Sequence, residues 1–309
     1  TTEIYTLSLH DALPISLDVQ RGAIVEVNAG PGLLMHIKPA VGQPRPVGEA
    51  IVDHLFAKDE DSRIPVVGVT GSRGKTPVAR LIAHLSRLSG QYTGLACSEG
   101  VFLDGRQVET PEGTNWDAAE RVLMNRSVEA AVFENSCRDI LADGTVYDRC
   151  SVGVVTNIDP ELHFGEFYID SPEKVWNVFR TQIDLVLSSG VAVLNAEDPA
   201  VVEMGSLSDG DVIFYGVDGK AEAIVATRAE GKRAVFVDNG AIVLATGEAH
   251  EELAPLSRIN MLAEGQAEQP GVLSNLLAAI AGAWALGISP ALIRAGVLPY
   301  NPKAPLRAD

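Results

Sequence analysis

Residues 68–76 read GVTGSRGKT and join two stretches with different apolar patterns. The preceding stretch, IPVVGVT (64–70), is continuously apolar, which is typical of a strand buried in a parallel sheet. The following stretch predicts a helix from about Lys75 to Ser89, because apolar residues recur in it at helical spacing. A glycine-rich turn between a buried strand and a helix lets backbone N–H groups surround a phosphate at the helix start. We therefore predict a phosphate-binding loop at this turn.

The residue types in this loop suit a nucleoside triphosphate. Lys75 would reach the β- and γ-phosphates, and the Thr76 hydroxyl would hold Mg²⁺. The backbone groups that would surround the phosphates belong to Gly71, Ser72, Arg73 and Gly74. The first glycine of the GxxxxGK[ST] pattern is missing, because Val69 stands there, and a plain glycine turn that caps a helix is the alternative. Pro77 is compatible with the first helical turn, where its missing N–H would have no partner.

Strand-like and helix-like stretches alternate through the rest of the chain. VFLDGRQV and AVFVDNGAIVLA predict hairpins, with turns at Asp104-Gly105 and Asn239-Gly240. The other apolar strands are separated by helices, which predicts βαβ units. The expected fold is α/β, with a mostly parallel sheet and helices on both faces.

Composition narrows the function classes for this chain of 309 residues. Hydrophobic residues make up 46% of it, and no apolar run is long enough to cross a membrane. The formal net charge of −17 argues against binding to nucleic acid, which requires clustered Lys and Arg. The three cysteines form no CxxC pair, which favours a reducing cytoplasm. We expect a cytoplasmic α/β enzyme with neither a membrane nor a nucleic-acid partner.

Polar residues follow three other strand-like stretches. Glu134 lies at the end of EAAVFEN, and TNIDPELHFG places Asn157, Asp159 and His163 after another strand. NAEDP adds Asn195 and Asp198, which could contact adenine or ribose. Ligands in open α/β sheets gather at the carboxyl ends of strands, so these groups are expected near the phosphate loop. The alternatives are a solvated loop glutamate, a packed loop histidine and a plain turn.

GSRGKT, VFENS, VVTNIDPELHFG and VLNAEDP together resemble the central ATP-binding domain of the Mur ligase family. VFLDGRQVE, YDRCSVGVVTNI and SNLLAAIAGAWALGIS narrow the resemblance to the cyanophycin synthetases within residues 59–297. The resemblance implies ATP and Mg²⁺, with Lys75 and Thr76 on phosphate and metal. It further implies Glu134 and His163 as metal ligands, and Asn195 and Asn275 near the nucleotide.

The segment before the phosphate loop resembles the end of an ATP-grasp domain, over residues 17–58. Glu26 and Asn28 share one face of a predicted strand there, and the resemblance implies that they bind Mg²⁺. Residues 1–16 resemble translated sequencing-adapter sequence, so we expect them to be an artefact. Residues 298–309 are interpreted as a truncated linker to a missing C-terminal lobe. The chain is therefore expected to be a fragment that is inactive alone.

The resemblance implies an ATP-dependent ligase that extends an Asp/Arg polymer through acyl phosphates. The Mur-like site would add Arg to the Asp side chain, and the ATP-grasp site would add Asp to a cyanophycin primer. The full-length protein would form homo-oligomers. Two alternatives stay open. In the first, the Mur-like domain is a non-catalytic scaffold, and the ATP-grasp site joins β-aspartyl-arginine dipeptides. In the second, the chain is another P-loop amino-acid ligase.

The chain departs from the family pattern beside the predicted site. A family lysine that is carbamylated to organise a second metal should fall where Phe179 stands. Lys174 lies more than a helical turn earlier and is a poor substitute. Cys137 and Asp139 also occupy a segment that is more glycine-rich in the family. Phenylalanine can neither be carbamylated nor bind metal, so we expect ATP binding with slow, altered or absent chemistry.

Overall fold

A computed structural model describes residues 6–7, 27–28, 32–56, 63–110, 115–263, 269 and 271–306. The chain divides into two compact units, Thr1–Arg63 and Ile64–Asp309. The division lies five residues after the boundary that the sequence predicts between residues 58 and 59. The assignments of residues 1–16, 17–58 and 298–309 remain predictions.

The described residues of the first unit form two short strands and two helices. Strand β1 (Thr6–Leu7), inside the stretch predicted to be an artefact, pairs antiparallel with β2 (Val27–Asn28). Helices α1 (Leu34–Ile37) and α2 (Val47–Leu55) bury none of their side chains. Glu26 lies outside the described residues, as does the side chain of Asn28, so their predicted metal site remains a prediction.

In the second unit, the described residues form one eleven-stranded sheet. Its strands are β3 (Val66–Thr70), β4 (Thr93–Cys97), β5 (Gly100–Leu103), β6 (Arg106–Glu109), β7 (Ala130–Glu134), β8 (Cys150–Val155), β9 (Val186–Asn195), β10 (Asp211–Asp218), β11 (Arg233–Asp238), β12 (Ala241–Thr246) and β13 (Ala249–Pro255). The order across the sheet is β13-β12-β11-β10-β9-β8-β3-β7-β4-β5-β6.

The middle of this sheet is parallel and both edges are antiparallel. The seven strands β11, β10, β9, β8, β3, β7 and β4, in the order of the sheet, all pair in parallel with their neighbours. The hairpin β5-β6 turns at Asp104-Gly105, and β11-β12 turns at Asn239-Gly240, as the sequence predicts. All four turn residues have positive φ, which suits these residue types. The predicted mostly parallel α/β fold is confirmed.

Helices cover both faces of the sheet. They are α3 (Lys75–Leu88), α4 (Trp116–Leu123), α5 (Cys137–Ala142), α6 (Pro172–Asp184), α7 (Pro199–Val202), α8 (Glu222–Ala229), α9 (Val272–Ala285) and α10 (Pro290–Val297). Helices α3, α9 and α10 share one apolar cluster with residues such as Val67 and Val69 of β3. The opposite face of the sheet packs against α6. On β9, for example, Val193 belongs to the first cluster, and the next residue, Leu194, belongs to the cluster that includes Val175 and Phe179 of α6. In the described residues, no helix is long and apolar enough to cross a bilayer.

Strand β3 lies at the point where the order of the sheet reverses. The chain leaves β3 through α3 to β4 on one side, and later reaches β8 on the other side. Loops from the carboxyl ends of β3, β7 and β8 therefore diverge around a crevice. Open α/β sheets bind ligands at this position. The phosphate loop directly follows β3 and borders the crevice.

Candidate functional site

The loop between β3 and α3 depends on two glycines. Gly71 has φ +133° and Gly74 has φ +83°, both in the region that favours glycine. A Cβ at Gly74 would lie 2.1 Å from the Asn275 side-chain oxygen on α9. Lys75 Nζ donates to the Gly71 carbonyl at 3.1 Å, so the ammonium folds back over the loop. The loop thus has the compact shape that the sequence predicts, with Asn275 against it.

The β8 side of the loop is held by hydrogen bonds. Ser72 N donates to the Asn157 carbonyl at 2.9 Å. The Asn157 side chain accepts from Arg73 N at 3.0 Å and donates to the Arg73 carbonyl at 2.9 Å. Thr156 Oγ1 donates to the same carbonyl at 2.7 Å. Arg73 itself is exposed and pairs with Asp159 at 3.1 Å, so its side chain lies outside the loop.

Asn195 and Asp198 hydrogen-bond to the segment that follows β8, which in turn contacts the loop. Asn195 Nδ2 donates to the Thr156 carbonyl at 2.9 Å, while Oδ1 accepts from Glu197 N at 3.0 Å. Asp198 accepts from Ile158 N at 2.7 Å and from two N–H groups that begin α7. The structure therefore brings both residues close to the loop, but their polar atoms already have protein partners. Their predicted nucleotide contacts remain predictions.

On the β7 and β4 side, the described residues form fewer hydrogen bonds. Thr76 Oγ1 lies 2.9 Å from Ser98 Oγ, in the turn after β4. Ser98 N donates to Glu134 Oε2 at 2.9 Å, so one serine connects the two residues predicted to hold metal. Sequence reasoning missed Ser98, although its place at the carboxyl end of a buried strand was an available signal.

Glu134 is a buried carboxylate with little compensation. Its exposed fraction is 5%, and Ser98 N is the partner that the described residues give it. A buried carboxylate requires a cation or several donors, because losing water disfavours its charge. Hard oxygen atoms from a carboxylate and hydroxyls are ligands that Mg²⁺ accepts. The group formed by Thr76, Ser98 and Glu134 therefore fits Mg²⁺ bound beside a phosphate.

His163 is not brought into this group by any described contact. It is exposed, and its Nδ1 lies 3.1 Å from the Glu161 carbonyl. Within the described residues, no three His, Cys, Asp or Glu side chains form a metal-binding cluster. The predicted role of His163 as a metal ligand remains a prediction.

Phe179 is a core residue of α6. Its exposed fraction is 0%, and it belongs to the apolar cluster that includes Cys137 and Val155. Lys174 is exposed and binds Asp170 at 2.6 Å through its ammonium. A second metal held by a lysine carbamate therefore has no support from either residue.

A closed ring of three polar side chains lies between α6 and β3. Asn135 Nδ2 donates to Tyr147 Oη at 2.6 Å and to Gln182 Oε1 at 2.7 Å. Tyr147 Oη donates to the same Gln182 oxygen at 2.9 Å. Gly68 makes room for the ring, since a Cβ there would lie 2.0 Å from Tyr147 Oη. The ring fixes Asn135, the residue after Glu134, and burial raises the pKa of Tyr147.

Cysteine chemistry plays no evident part in the site. Burial raises the pKa of the Cys137 thiol to about 12, although Lys75 acts in the opposite direction. Burial also raises the pKa of Cys97 to about 12. Both thiols stay protonated near neutral pH and are poor nucleophiles.

Comparison with known proteins agrees with this geometry. The model of the Mur ligase middle domain matches residues 69–283. The chain belongs to the Mur ligase family. The cyanophycin synthetase of Geminocystis herdmanii is 36% identical to this chain over 284 residues, and that of Crocosphaera subtropica is 35% identical over the same length. Each alignment covers 92% of this chain and 32% of the relative, so the chain spans about a third of their length.

Solved Mur ligase structures share the fold. A UDP-N-acetylmuramoyl-L-alanyl-D-glutamate–2,6-diaminopimelate ligase superposes with a TM-score of 0.55 at 16% identity, over 82% of this chain and 49% of that chain. The UDP-N-acetylmuramoylalanyl-D-glutamyl-2,6-diaminopimelate–D-alanyl-D-alanyl ligase from Acinetobacter baumannii gives a TM-score of 0.52 at 17% identity, over 78% of this chain and 47% of that chain. The two TM-scores support the fold of this chain, whereas identities this low say nothing about its substrates.

Proposed function

We propose that this Mur ligase domain is the ATP site of a ligase that joins a carboxylate to an amine. The observation that carries the proposal is the loop of residues 71–74, with Lys75 Nζ 3.1 Å from the Gly71 carbonyl and the buried Glu134 beside Thr76. A cation, backbone N–H groups and acidic oxygens converge there, which suits a triphosphate with Mg²⁺.

The residues would act mainly by binding and alignment. Ser72 N and Arg73 N already donate to Asn157, so the N–H groups at the start of α3 and the Lys75 ammonium would hold the β- and γ-phosphates. Thr76 and Glu134 would hold Mg²⁺. Mg²⁺ would neutralise phosphate charge when bound. An acceptor carboxylate would attack the γ-phosphorus and release ADP, and an amine would then attack the acyl phosphate and release phosphate. Positioning and charge stabilisation account for such catalysis without a protein nucleophile.

The relatives support a more specific substrate proposal. We infer that the parent protein extends a cyanophycin-like primer, with this site adding Arg to the Asp side chain. An ATP-grasp site that includes residues 17–58 would add Asp, with Glu26 and Asn28 on its Mg²⁺. The whole parent would assemble as a homo-oligomer. This proposal rests on the 36% and 35% identity to two cyanophycin synthetases, which cover 92% of the chain.

One observation favours a second function. Phe179 is fully buried at the position of the expected lysine, and Lys174 binds Asp170 instead. A Mur-like site without that lysine could serve as a scaffold, while the ATP-grasp site joins β-aspartyl-arginine dipeptides. Both functions require ATP in the parent, but only the first requires ATP at Lys75.

The test compares variants of the full-length parent. It receives ATP, a primer and either labelled Arg with Asp or labelled dipeptide, and the label in polymer is counted. Lys75→Ala should abolish incorporation of free Arg, whereas Lys220→Ala, an exposed lysine outside the loop, should not change it. Unchanged Arg incorporation in Lys75→Ala would exclude the ligase role of this site. Dipeptide incorporation that survives Lys75→Ala, without any use of free Arg by the unaltered parent, would support the scaffold.

A further inference from the structure

A cavity lies about one turn of α3 away from Thr76, the loop residue predicted to hold Mg²⁺. Its volume is about 1240 Å³, and its walls come from α3, the β4–β5 turn, the β5-β6 hairpin and residues 302–306. Phe102 and the prolines of residues 302–306 supply apolar walls, and Arg80, Arg106 and Lys303 supply positive charge. Glu99 supplies the opposite charge, so the charged lining sums to +2 (three cations and one anion). The cavity is cationic in a chain whose net charge is −17.

Arg80 is the anchored cation of this cavity. It is 8% exposed, forms an ion pair with Glu99 and donates to the Ala304 carbonyl at 3.2 Å. Its guanidinium also lies 5.7 Å from the centre of the Phe102 ring. The Nε atom is buried and has no hydrogen-bond partner within the described residues. The Tyr300 hydroxyl, which is buried as well, interacts with the Arg80 side chain. Arg80 is therefore fixed from inside the chain, and Arg106 and Lys303 are the exposed cations of the cavity.

The position of Arg80 relates the cavity to the phosphate site. Arg80 lies four residues after Thr76, so both side chains share one face of α3, about 6 Å apart along its axis. Their partners, Ser98 and Glu99, are also consecutive. The Thr76 hydroxyl, which is predicted to hold Mg²⁺, and the cavity are therefore adjacent along α3. The Thr76–Ser98 contact lies on the side of the phosphate loop, and the Arg80–Glu99 contact lies in the cavity wall.

We propose that this cavity binds the acidic acceptor peptide of the ligase, with one acceptor carboxylate held near Arg80, Arg106 and Lys303. A neighbouring carboxylate of the same peptide then reaches the γ-phosphate beside Thr76. This inference rests on the proposed ligase function and adds the residues that select the acceptor. An acidic peptide fits the lining, because it combines carboxylates with apolar backbone and methylene surface.

The test measures binding of a fluorescein-labelled ten-residue poly-L-aspartate peptide to the 309-residue chain by fluorescence anisotropy. We expect saturable one-to-one binding without ATP. Arg106→Glu should weaken it at least tenfold, and Lys303→Glu should do the same. Both side chains are exposed, so these variants should fold normally, which their thermal unfolding checks. Arg258→Glu is the matched control, because it makes the same charge change at an exposed arginine outside the lining.

Two results would overturn the proposal: an equal loss in Arg258→Glu and Arg106→Glu, or no saturable binding. Lys75→Ala separates this inference from the proposed function. That variant should lose ATP binding and keep peptide binding, as expected for separate subsites. If the unaltered chain binds the peptide but not ATP, the ligase function fails while the peptide site stands. If it binds ATP and not the peptide, the cavity assignment fails alone.

Discussion

The two sides of the phosphate loop differ in how far their polar groups are already paired. On the β8 side, Asn157, Asn195 and Asp198 each make at least two hydrogen bonds to the protein. On the β7 side, the buried Glu134 accepts one hydrogen bond from the part of the chain that the structure describes, from Ser98 N. The paired side shapes the loop, and the less paired side leaves oxygen atoms for a metal and its phosphate. The difference shows that nearness to a loop does not make a polar residue a ligand.

The largest effect is expected from Phe179→Lys. This variant tests whether position 179 on α6 can contribute a metal ligand. A lysine placed in this apolar cluster should lower the free energy of unfolding by about 3–5 kcal/mol, because its charge would lose water without a partner. Urea unfolding measures this, with Phe179→Leu as a control that should cost about 1 kcal/mol. Normal stability together with faster ligation by the parent in bicarbonate would show that position 179 reaches the metal.

Gly71→Ala tests the paired side. The new Cβ would lie 2.1 Å from Thr156 Oγ1, at a φ of +133°. We expect a loss of about 2–4 kcal/mol in unfolding free energy and no measurable ATP binding by calorimetry. Gly165→Ala is the control, since nothing lies within 4 Å of its Cβ. Retained ATP affinity in Gly71→Ala would mean that the hydrogen bonds to β8 do not set the loop shape.

A matched pair of carboxylate-to-amide changes contrasts the two sides directly. Asp198→Asn should lower the unfolding free energy by about 1–2 kcal/mol, because the one remaining acceptor oxygen can serve either the N–H groups that begin α7 or Ile158 N, but not both. Its Mg²⁺-ATP affinity should stay within about threefold. Glu134→Gln should leave stability nearly unchanged and weaken Mg²⁺-ATP roughly tenfold or more. The reverse pattern, by denaturation and titration calorimetry, would exchange the roles of the two sides.

The smallest effect concerns His84, in the second half of α3. Burial, and then Arg87, lower the pKa of His84, which packs against Tyr300 with ring centres 5.1 Å apart. The unfolded chain therefore binds a proton more readily below pH 6.5, the usual pKa of histidine, and stability falls as pH drops below that value. Urea unfolding at pH 7.5 and 5.5 should show a smaller difference for His84→Gln than for the unaltered chain. His250→Gln, at an exposed histidine, should retain the full difference.

Elements with a strong pattern could be predicted from the sequence. The apolar run before Gly71 and the helical spacing after Lys75 agree with β3 and α3 to within two residues. Asp104-Gly105 and Asn239-Gly240 located two hairpins, because few residue types accept those turns.

Other elements carried too weak a signal. Helix α5 has six residues, and α8 has eight with a poorly separated apolar face, so neither repeats a pattern for long enough. The edge strand β13 is mostly exposed and rich in Glu, unlike a typical strand.

The candidate site was predictable in its residue types and less so in its contacts. Lys75 and Thr76 lie at the loop, and Ser98 connects Thr76 with Glu134, while their binding of phosphate and metal stays a prediction. Asn195 and Asp198 hydrogen-bond to neighbouring backbone groups. These contacts depend on the distance between two loops, which the periodicity of the sequence does not encode. Ser98 was missed because a serine in a turn has no distinctive spacing.

The approach of Asn275 to Gly74 has a consequence for how this protein can evolve. Two positions 201 residues apart share one small volume, since a Cβ at 74 would meet the Asn275 amide at 2.1 Å (275 − 74 = 201). A shorter residue at 275 would free that volume, but a side chain at 74 would still be strained at a φ of +83°, so glycine is required at 74 on two grounds. Homologous sequences should therefore keep glycine at 74 even where residue 275 is smaller than asparagine, and random mutagenesis should rarely recover a change at 74.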